Sequence, residues 1–439
     1  MTAEAASLPG HKQVLTVALP IVISGLTTPL IGLVDTAAIG QLGEAKYIAA
    51  VAVGALIFTF LYWAFGFLRM GTTGLTAQAH GAKDGAEIRA SLARALFIAA
   101  LAGLVLILLQ WPLREAAFTL IGAEAETESL ARAYFGIRIW SAPFTLANFA
   151  LLGWFIGQQR MKTALLLQLF LNGLNAGLDG LFVFGFSMGV EGIAWGTLIA
   201  ETSAAFLGLA LALRILKALP GGWDISRLKD RLALMRTVAV NRDIMIRTLL
   251  LMFAFAFFTA EGARQGDTVL AANTVLMQFV AFTAYFLDGF AFAAEALVGE
   301  ALGARRREAL KRAVALSTFW AALTALALTL GFAALGPHFI DLLTTAEDVR
   351  TAARLYLLWA AALPILSVWC YQLDGIFIGA TRTGDMRNAA ILSLATFLIS
   401  WGALLPFGNH GLWASLSIFN FARALFLLRT YPRLVASAQ

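Results

Sequence analysis

Residues 153–160 read Gly-Trp-Phe-Ile-Gly-Gln-Gln-Arg, and residues 375–382, 222 positions later, read Gly-Ile-Phe-Ile-Gly-Ala-Thr-Arg. A second echo stands at the same offset: Leu75-Thr-Ala-Gln-Ala-His-Gly81-Ala-Lys83 against Leu297-Val-Gly-Glu-Ala-Leu-Gly303-Ala-Arg305. Each stretch closes an apolar run just before a basic loop. Ordinary glycine-bearing helix ends could produce one such match; two at one offset point to a duplicated unit. The pairs Gly153/Gly157 and Gly375/Gly379 place two glycines on one helix face, a pattern that lets helices pack closely.

The composition around these stretches sets the solvent. Hydrophobic residues make up 60% of the chain and charged residues 13%, against roughly 25% charged in a soluble domain. A bilayer core about 30 Å thick takes about 20 apolar residues per helix. Such runs occur at 14–39, 47–77, 91–113, 131–157, 163–186, 190–216, 243–264, 268–300, 312–336, 352–380, 386–407 and 410–431. The expected fold is therefore an all-α integral membrane protein, twelve transmembrane helices in two pseudo-symmetric six-helix bundles. Runs longer than needed imply tilt or bending, with Pro20, Pro29, Pro143 and Pro364 as expected bends. The first run is too long for a signal-peptide core and is read as an uncleaved span. The lone Cys370 excludes an intramolecular disulfide and, with four scattered histidines, a cysteine-based metal cluster.

Alternate loops differ in charge. Lys12, Lys83, Arg89, Arg160, Arg214 to Arg247, Arg305 to Arg312, Arg382, Arg387 and Arg423 to Arg433 fall on one side with their neighbours, about 24 basic residues. The other side keeps seven: Lys46, Arg114, Arg132, Arg138, Arg264, Arg350 and Arg354. Basic loops stay cytoplasmic, so both termini are expected inside, and the basic excess is topology rather than a nucleic-acid surface. Six helices per half insert both halves in the same orientation, related by an axis along the membrane normal. The expected division is 1–216, a first six-helix bundle; 217–242, a cytoplasmic linker with Pro220, Gly221, Gly222 and a short surface helix around 224–238; and 243–439, a second bundle.

The chain carries no GxxxxGK[ST] phosphate loop, HExxH or GxSxG, so it is read as a transporter rather than an enzyme. No cofactor is expected, and an ion gradient supplies the energy. Intramembrane acids are costly and mark function by default, since a buried carboxyl can exchange protons near neutral pH. Asp35 lies fifteen residues after Pro20, roughly 22 Å along a helix. Asn175 and Asp179 are spaced i, i+4 on one face of helix five, with Asn172 near that face. Glu201 and Glu261 lie nearer helix ends, open between a transport role and pairing with arginine. Asp288, Glu295 and Asp374 could line a cavity of the second half or pair with Arg69 or Arg247. At an offset of 223, set by Gly43 and Gly266, Asp35 falls opposite Phe258; near 222, Asp179 falls opposite Trp401. The acid network belongs to the first half.

The run LPIVISGLTTPLIGLVDTAAIGQLG (19–43) resembles helix one of the multidrug and toxic compound extrusion (MATE) transporters. So do LTAQAHGAKD (75–84), the repeated helix-four and helix-ten ends, and the acidic helix five. LRMGTTGLTAQA (68–79), NRDIMIRTLLL (241–251), LDGFAFAAEA (287–296) and WCYQLDGIFIGATRTGDMRN (369–388) are similar to the DNA-damage-inducible F branch of that family. The resemblance covers about residues 12–432. It implies the MATE fold, a V-shaped cavity, and secondary active antiport by alternating access, an inward proton, or in some members sodium, driving amphipathic or cationic drugs outward.

In proton-coupled relatives an Asp of helix one joins an Asn and Asp of helix five and a Thr of helix six. These match Asp35, Asn175, Asp179 and Thr197, with Asn148 a further candidate and Pro20 matching the proline that bends helix one. Ile31 replaces an aromatic that some relatives carry, so its contacts are not transferred. The sodium-linked acids of other branches do not align securely onto Asp374 or Glu261; a sodium ion at Asp35/Asp179 stays open. The expected partners are such drugs, protons or sodium, and membrane lipids, with no nucleic acid and the chain a monomer in the cell (inner) membrane. The alternative cargo, a lipid-linked intermediate for a flippase, would need more intramembrane cations than Arg69 and Arg423.

Overall fold

The computed structural model describes residues 8–40 and 44–438, without the side chains of 28–38, 40 and 225. The described residues are almost wholly helical. α1 (His11–Gly40) is followed by α2 (Ala45–Trp63), which passes through a 3₁₀ turn into α3 (Phe67–Gly81). α4 (Gly85–Leu108), α5 (Gln110–Ile121) and α6 (Ala125–Arg138) follow, and a second 3₁₀ turn joins α6 to α7 (Ala142–Gly157). α8 (Met161–Gly180) ends in a π turn before α9 (Gly189–Ala218). After the four-residue α10 (Ile225–Leu228) come α11 (Arg231–Arg264), α12 (Asp267–Gly303), α13 (Arg307–Leu343) and α14 (Glu347–Gly379). α15 (Thr383–Leu404) and α16 (Gly408–Ala436) close the chain around a 3₁₀ turn, Leu405–Phe407.

Among the described residues, ten stretches are long and apolar enough to cross a membrane, two fewer than the expected twelve. One of them, Thr383–Ala436, is 54 residues long and is a hairpin, because it breaks at Leu405–Phe407 and α15 packs back on α16. α1, 30 residues, stands apart from those ten. Large apolar side chains point outward along these helices, among them Leu342 at 82% exposure and Ile399 at 74%. Such surfaces suit lipid rather than water, and the chain is a multi-pass membrane protein.

The duplication is written in the backbone. Lys83 and Arg305, 222 positions apart, have φ of 55° and 53°; Gln159 and Thr381, also 222 apart, have 57° and 52°. At the 159 cap the Gln159 N–H donates to the Ile156 carbonyl and the Arg160 N–H to that of Phe155; Thr381 and Arg382 repeat this on Ile378 and Phe377. A left-handed residue here lets the chain turn while satisfying carbonyls that the helix end leaves open.

Each twin glycine lies against a backbone. A Cβ at Gly153 would come 2.3 Å from the Arg69 carbonyl oxygen, and one at Gly375 would come 2.3 Å from that of Ala291. Gly157 and Gly379 meet the carbonyls of Thr73 and Glu295 at 2.7 and 2.4 Å. Every partner is also displaced by 222, so the same α7-on-α3 packing recurs as α14 on α12.

Two compact units result, residues 23–238 and residues 1–22 with 239–439. In the first, α7 packs on α3 and α4, and α8 on α9; in the second, α14 packs on α12 and α13, and α15 on α16. α1 contributes to both. Its Ala18 and Val22 approach Gly289 of α12, whereas Thr27 accepts a 2.8 Å hydrogen bond from Asn172 of α8. Pro143 sits at the start of α7, where the fourth span breaks. The 231–242 part of the connection between the halves is helical and forms the start of α11.

Candidate functional site

Within the 23–238 unit, the polar face of α8 is turned inward. Asn172, Asn175 and Asp179 are 6%, 4% and 0% exposed, as expected when lipid contact would leave amide and carboxylate groups unsolvated. Asn175 Nδ2 donates to Asp179 Oδ2 at 3.0 Å and to Thr197 Oγ1 of α9 at 3.3 Å. The Thr197 hydroxyl donates in turn to the Ile193 carbonyl at 3.0 Å, so its oxygen is oriented to accept from the amide. Asn175 thus joins an acid on α8 to a hydroxyl on α9.

The backbone makes room for this acid. A Cβ on Gly196 would lie 2.1 Å from Asp179 Oδ1; a glycine one residue before Thr197 lets the carboxylate rest against α9. The side chains of Asp35 and Ile31, and of Pro29, lie outside the described residues. Pro20 is half-buried in α1, two residues before the chain passes from one unit to the other.

Asn148 takes a different partner. Its Nδ2 donates to the Glu201 backbone carbonyl at 2.9 Å, in a second buried network in which Glu201 faces an arginine, one of the two roles the sequence left open for it. Glu201 Oε2 accepts from the Thr145 hydroxyl, and Glu201 Oε1 lies 4.0 Å from Arg138 Nη2. The Arg138 guanidinium sits over the Phe58 ring, 5.0 Å from its centre, and donates to the Tyr134 hydroxyl. By sequence Arg138 counts as an outer-loop cation. The aromatic residues before it, Tyr134 and Phe135, were the available signal that it could be buried.

In the other unit Asp374 is an ion-pair acceptor. Its Oδ2 accepts from both Arg247 Nη2 and Arg423 Nη2, and Arg423 Nη1 donates to Asn420 Oδ1 at 3.2 Å. Glu295 is buried on α12 and Asp288 half-buried just under two turns earlier. Glu261 accepts from Arg264 at the end of α11.

Superposing the halves by sequence number makes the contrast physical. At offset 222, Asn175 and Asp179 correspond to Phe397 and Trp401, which are 0% and 7% exposed in an aromatic core. The Gly-x-x-Gly starts of α9 and α16, at 189–192 and 408–411, align at offset 219 and place Leu416 opposite Thr197. The same offsets pair Asn148 with Cys370 and Glu201 with Asn420, and Cys370 Sγ does lie 3.6 Å from Asn420 Oδ1. Phe258, opposite Asp35, packs edge-on against Trp413 at 5.0 Å. Where the first half holds an acid, an amide and a hydroxyl, the second holds rings and a leucine.

Known proteins share this chain's pattern. The MatE family pattern matches residues 20–181 and 244–401, one block in each half. DNA damage-inducible protein F of Escherichia coli (strain K12) is 41% identical over 422 residues, spanning 96% of this chain and 92% of that protein. The probable multidrug resistance protein NorM of Rhizobium meliloti (strain 1021) is 25% identical, spanning 98% and 95%. Multidrug export protein MepA of Staphylococcus aureus (strain MSSA476) is 22% identical, spanning 88% and 84%. Among solved structures, an outward-facing multidrug resistance MATE family transporter superposes with a TM-score of 0.88 at 19% identity, over 100% of this chain and 99% of that one. The chain belongs to the MatE family of membrane transporters.

Proposed function

We propose that this protein is a proton-driven antiporter of the cell inner membrane that exports amphipathic or cationic small molecules. The basic loops support a cytoplasmic position for both termini. The sequence halves 1–216 and 243–439 act as lobes joined through 217–242, and Asp35, Asn175, Asp179 and Thr197 couple the ion to the motion. The observation that carries this reading is the Asn175 bridge between Asp179 and Thr197, present in the half whose counterpart positions are apolar.

The geometry fits a role for α1. α1 and α8 are the first and fifth spans and so cross in the same direction. From the Thr27–Asn172 hydrogen bond, Asp35 lies eight residues on and Asp179 seven, about 12 and 10 Å at 1.5 Å per residue. That brings position 35 level with Asp179. Protonation of Asp35 would remove a charge beside the Asn175–Asp179–Thr197 chain and change which groups donate and accept there. α1 would answer by bending at Pro20, whose ring removes one helical hydrogen bond, near the point where α1 passes between units. Closing the first-half cavity would release the drug outward.

The test uses purified protein in proteoliposomes with a fluorescent amphipathic cation, under separate proton and sodium gradients. The pH gradient is expected to drive export, Asp35→Asn to abolish it, and Gly196→Ala to slow it at least tenfold. Export driven by sodium alone, or unaltered export by Asp35→Asn, would contradict the reading.

A further inference from the structure

A groove of about 370 Å³ runs along the second unit between α13 and α16, with α14 as its floor. Both flanking helices pack on α14 but scarcely on each other. Its rim is apolar and open: Trp369, Phe421 and Leu428 are 46%, 58% and 55% exposed. Its lining includes Gln372, which is 1% exposed and whose amide nitrogen and oxygen both lack a hydrogen-bond partner. Buried amides are ordinarily paired, so one left unpaired beside a groove calls for a ligand or water.

Depth and charge identify the occupant. Gln372 stands nine residues beyond the middle of α14, and Tyr431, also lining the groove, nine beyond the middle of α16. Nine residues are about 13 Å of helix, near the edge of a hydrocarbon layer whose half-thickness is about 15 Å. Tyrosine is favoured at that level. Arg429 and Arg433 stand two residues to either side of Tyr431 in sequence, are exposed and form no ion pair among the described residues, the Arg429 guanidinium lying 5.5 Å from the centre of the Phe426 ring. Apolar walls, an amide at ester depth and exposed arginines on the same end of α16 as Tyr431 match an anionic phospholipid.

We infer that the α13–α14–α16 groove is a binding site for one anionic phospholipid. An acyl chain fills the groove, Gln372 Nε2 donates to an ester carbonyl, and Arg429 and Arg433 hold the phosphate. This site is separate from the Asn175–Asp179–Thr197 cluster and does not depend on its role.

Native mass spectrometry of the full chain, titrated with phosphatidylglycerol or phosphatidylcholine in micelles, tests the assignment. The wild type is expected to hold one phosphatidylglycerol at least tenfold more tightly than phosphatidylcholine. Ala424→Trp, which fills the groove, should remove that bound lipid, and Arg429→Gln with Arg433→Gln should erase the preference. Gln372→Leu keeps the volume and removes the amide, so it should weaken phosphatidylglycerol severalfold with unchanged thermal unfolding; it decides the matter alone if Ala424→Trp does not fold. Equal binding of the two lipids, or wild-type affinity in Gln372→Leu, would overturn the site. So would loss of drug-cation binding in Ala424→Trp with lipid retained.

Discussion

Gly153 and Gly375 occupy positions where a neighbour's carbonyl oxygen lies at 2.3 Å from any added Cβ, and backbone cannot swing aside as a side chain can. Alanine at either should lower stability by about 1–3 kcal/mol, the usual range for overpacking, read as a shift of the unfolding transition in detergent. Gly402, helical with open space around it, is the control: alanine there should raise stability by about 0.5–1 kcal/mol. The need for glycine at 153 and 375 was legible, because both belong to the repeated octapeptide. The left-handed conformation of Gln159 and Thr381 was not, since neither is a residue that signals it. It becomes visible once the turns are compared at the 222-residue offset. Side-chain pairing was legible only in part. The i, i+4 spacing of Asn175 and Asp179 fixed a shared face, but nothing in the spacing says that Asn148 would turn to Glu201 or that two arginines would converge on Asp374.

At the scale of elements, hydropathy located the spans and missed their joints. The second and fourth spans each contain a 3₁₀ turn, Ala64–Gly66 and Ile139–Ser141, because apolarity is continuous through a bend that hydropathy does not see. Pro143 marked the second joint; no proline marks the first. The close of α9 depends on a distant residue. Arg89 of α4 donates to the carbonyls of Leu216, Leu219 and Pro220 at the close of α9, where a helix end leaves carbonyls short of donors; the Leu216 carbonyl also accepts from the Leu219 N–H. Charged hydrogen bonds of this kind contribute about 1.5–3 kcal/mol each at most. Arg89→Met should therefore destabilise by about 2 kcal/mol or more and speed proteolysis of the 219–230 segment several-fold, measured by limited digestion. Cleavage at the wild-type rate would show that the segment is held by other contacts.

Across the whole molecule, one scaffold occurs twice and its interior does not. Caps, glycine contacts and the order of helix packing all repeat at 222. Yet the place filled by Asn175 and Asp179 in one half is filled by Phe397 and Trp401 in the other. Aromatic packing in a core is stabilising and rigid, whereas an acid bridged through an amide can change partners when a proton arrives. The scaffold was readable because glycines and basic loops impose themselves on sequence; the difference in chemistry was readable because acids are rare in apolar helices. The buried Arg138–Glu201 network was legible only from one side: Glu201, mid-way along α9, stood out as an acid that could pair with arginine, whereas Arg138 was read as an outer-loop cation. The central claim is that coupling resides in the first-half cluster. The most direct measurement is pH-gradient-driven efflux from proteoliposomes by Asp179→Asn beside the wild type, with cation binding and thermal unfolding measured on the same samples. The account predicts at least a tenfold loss of driven efflux with binding and folding retained; efflux at the wild-type rate would contradict it.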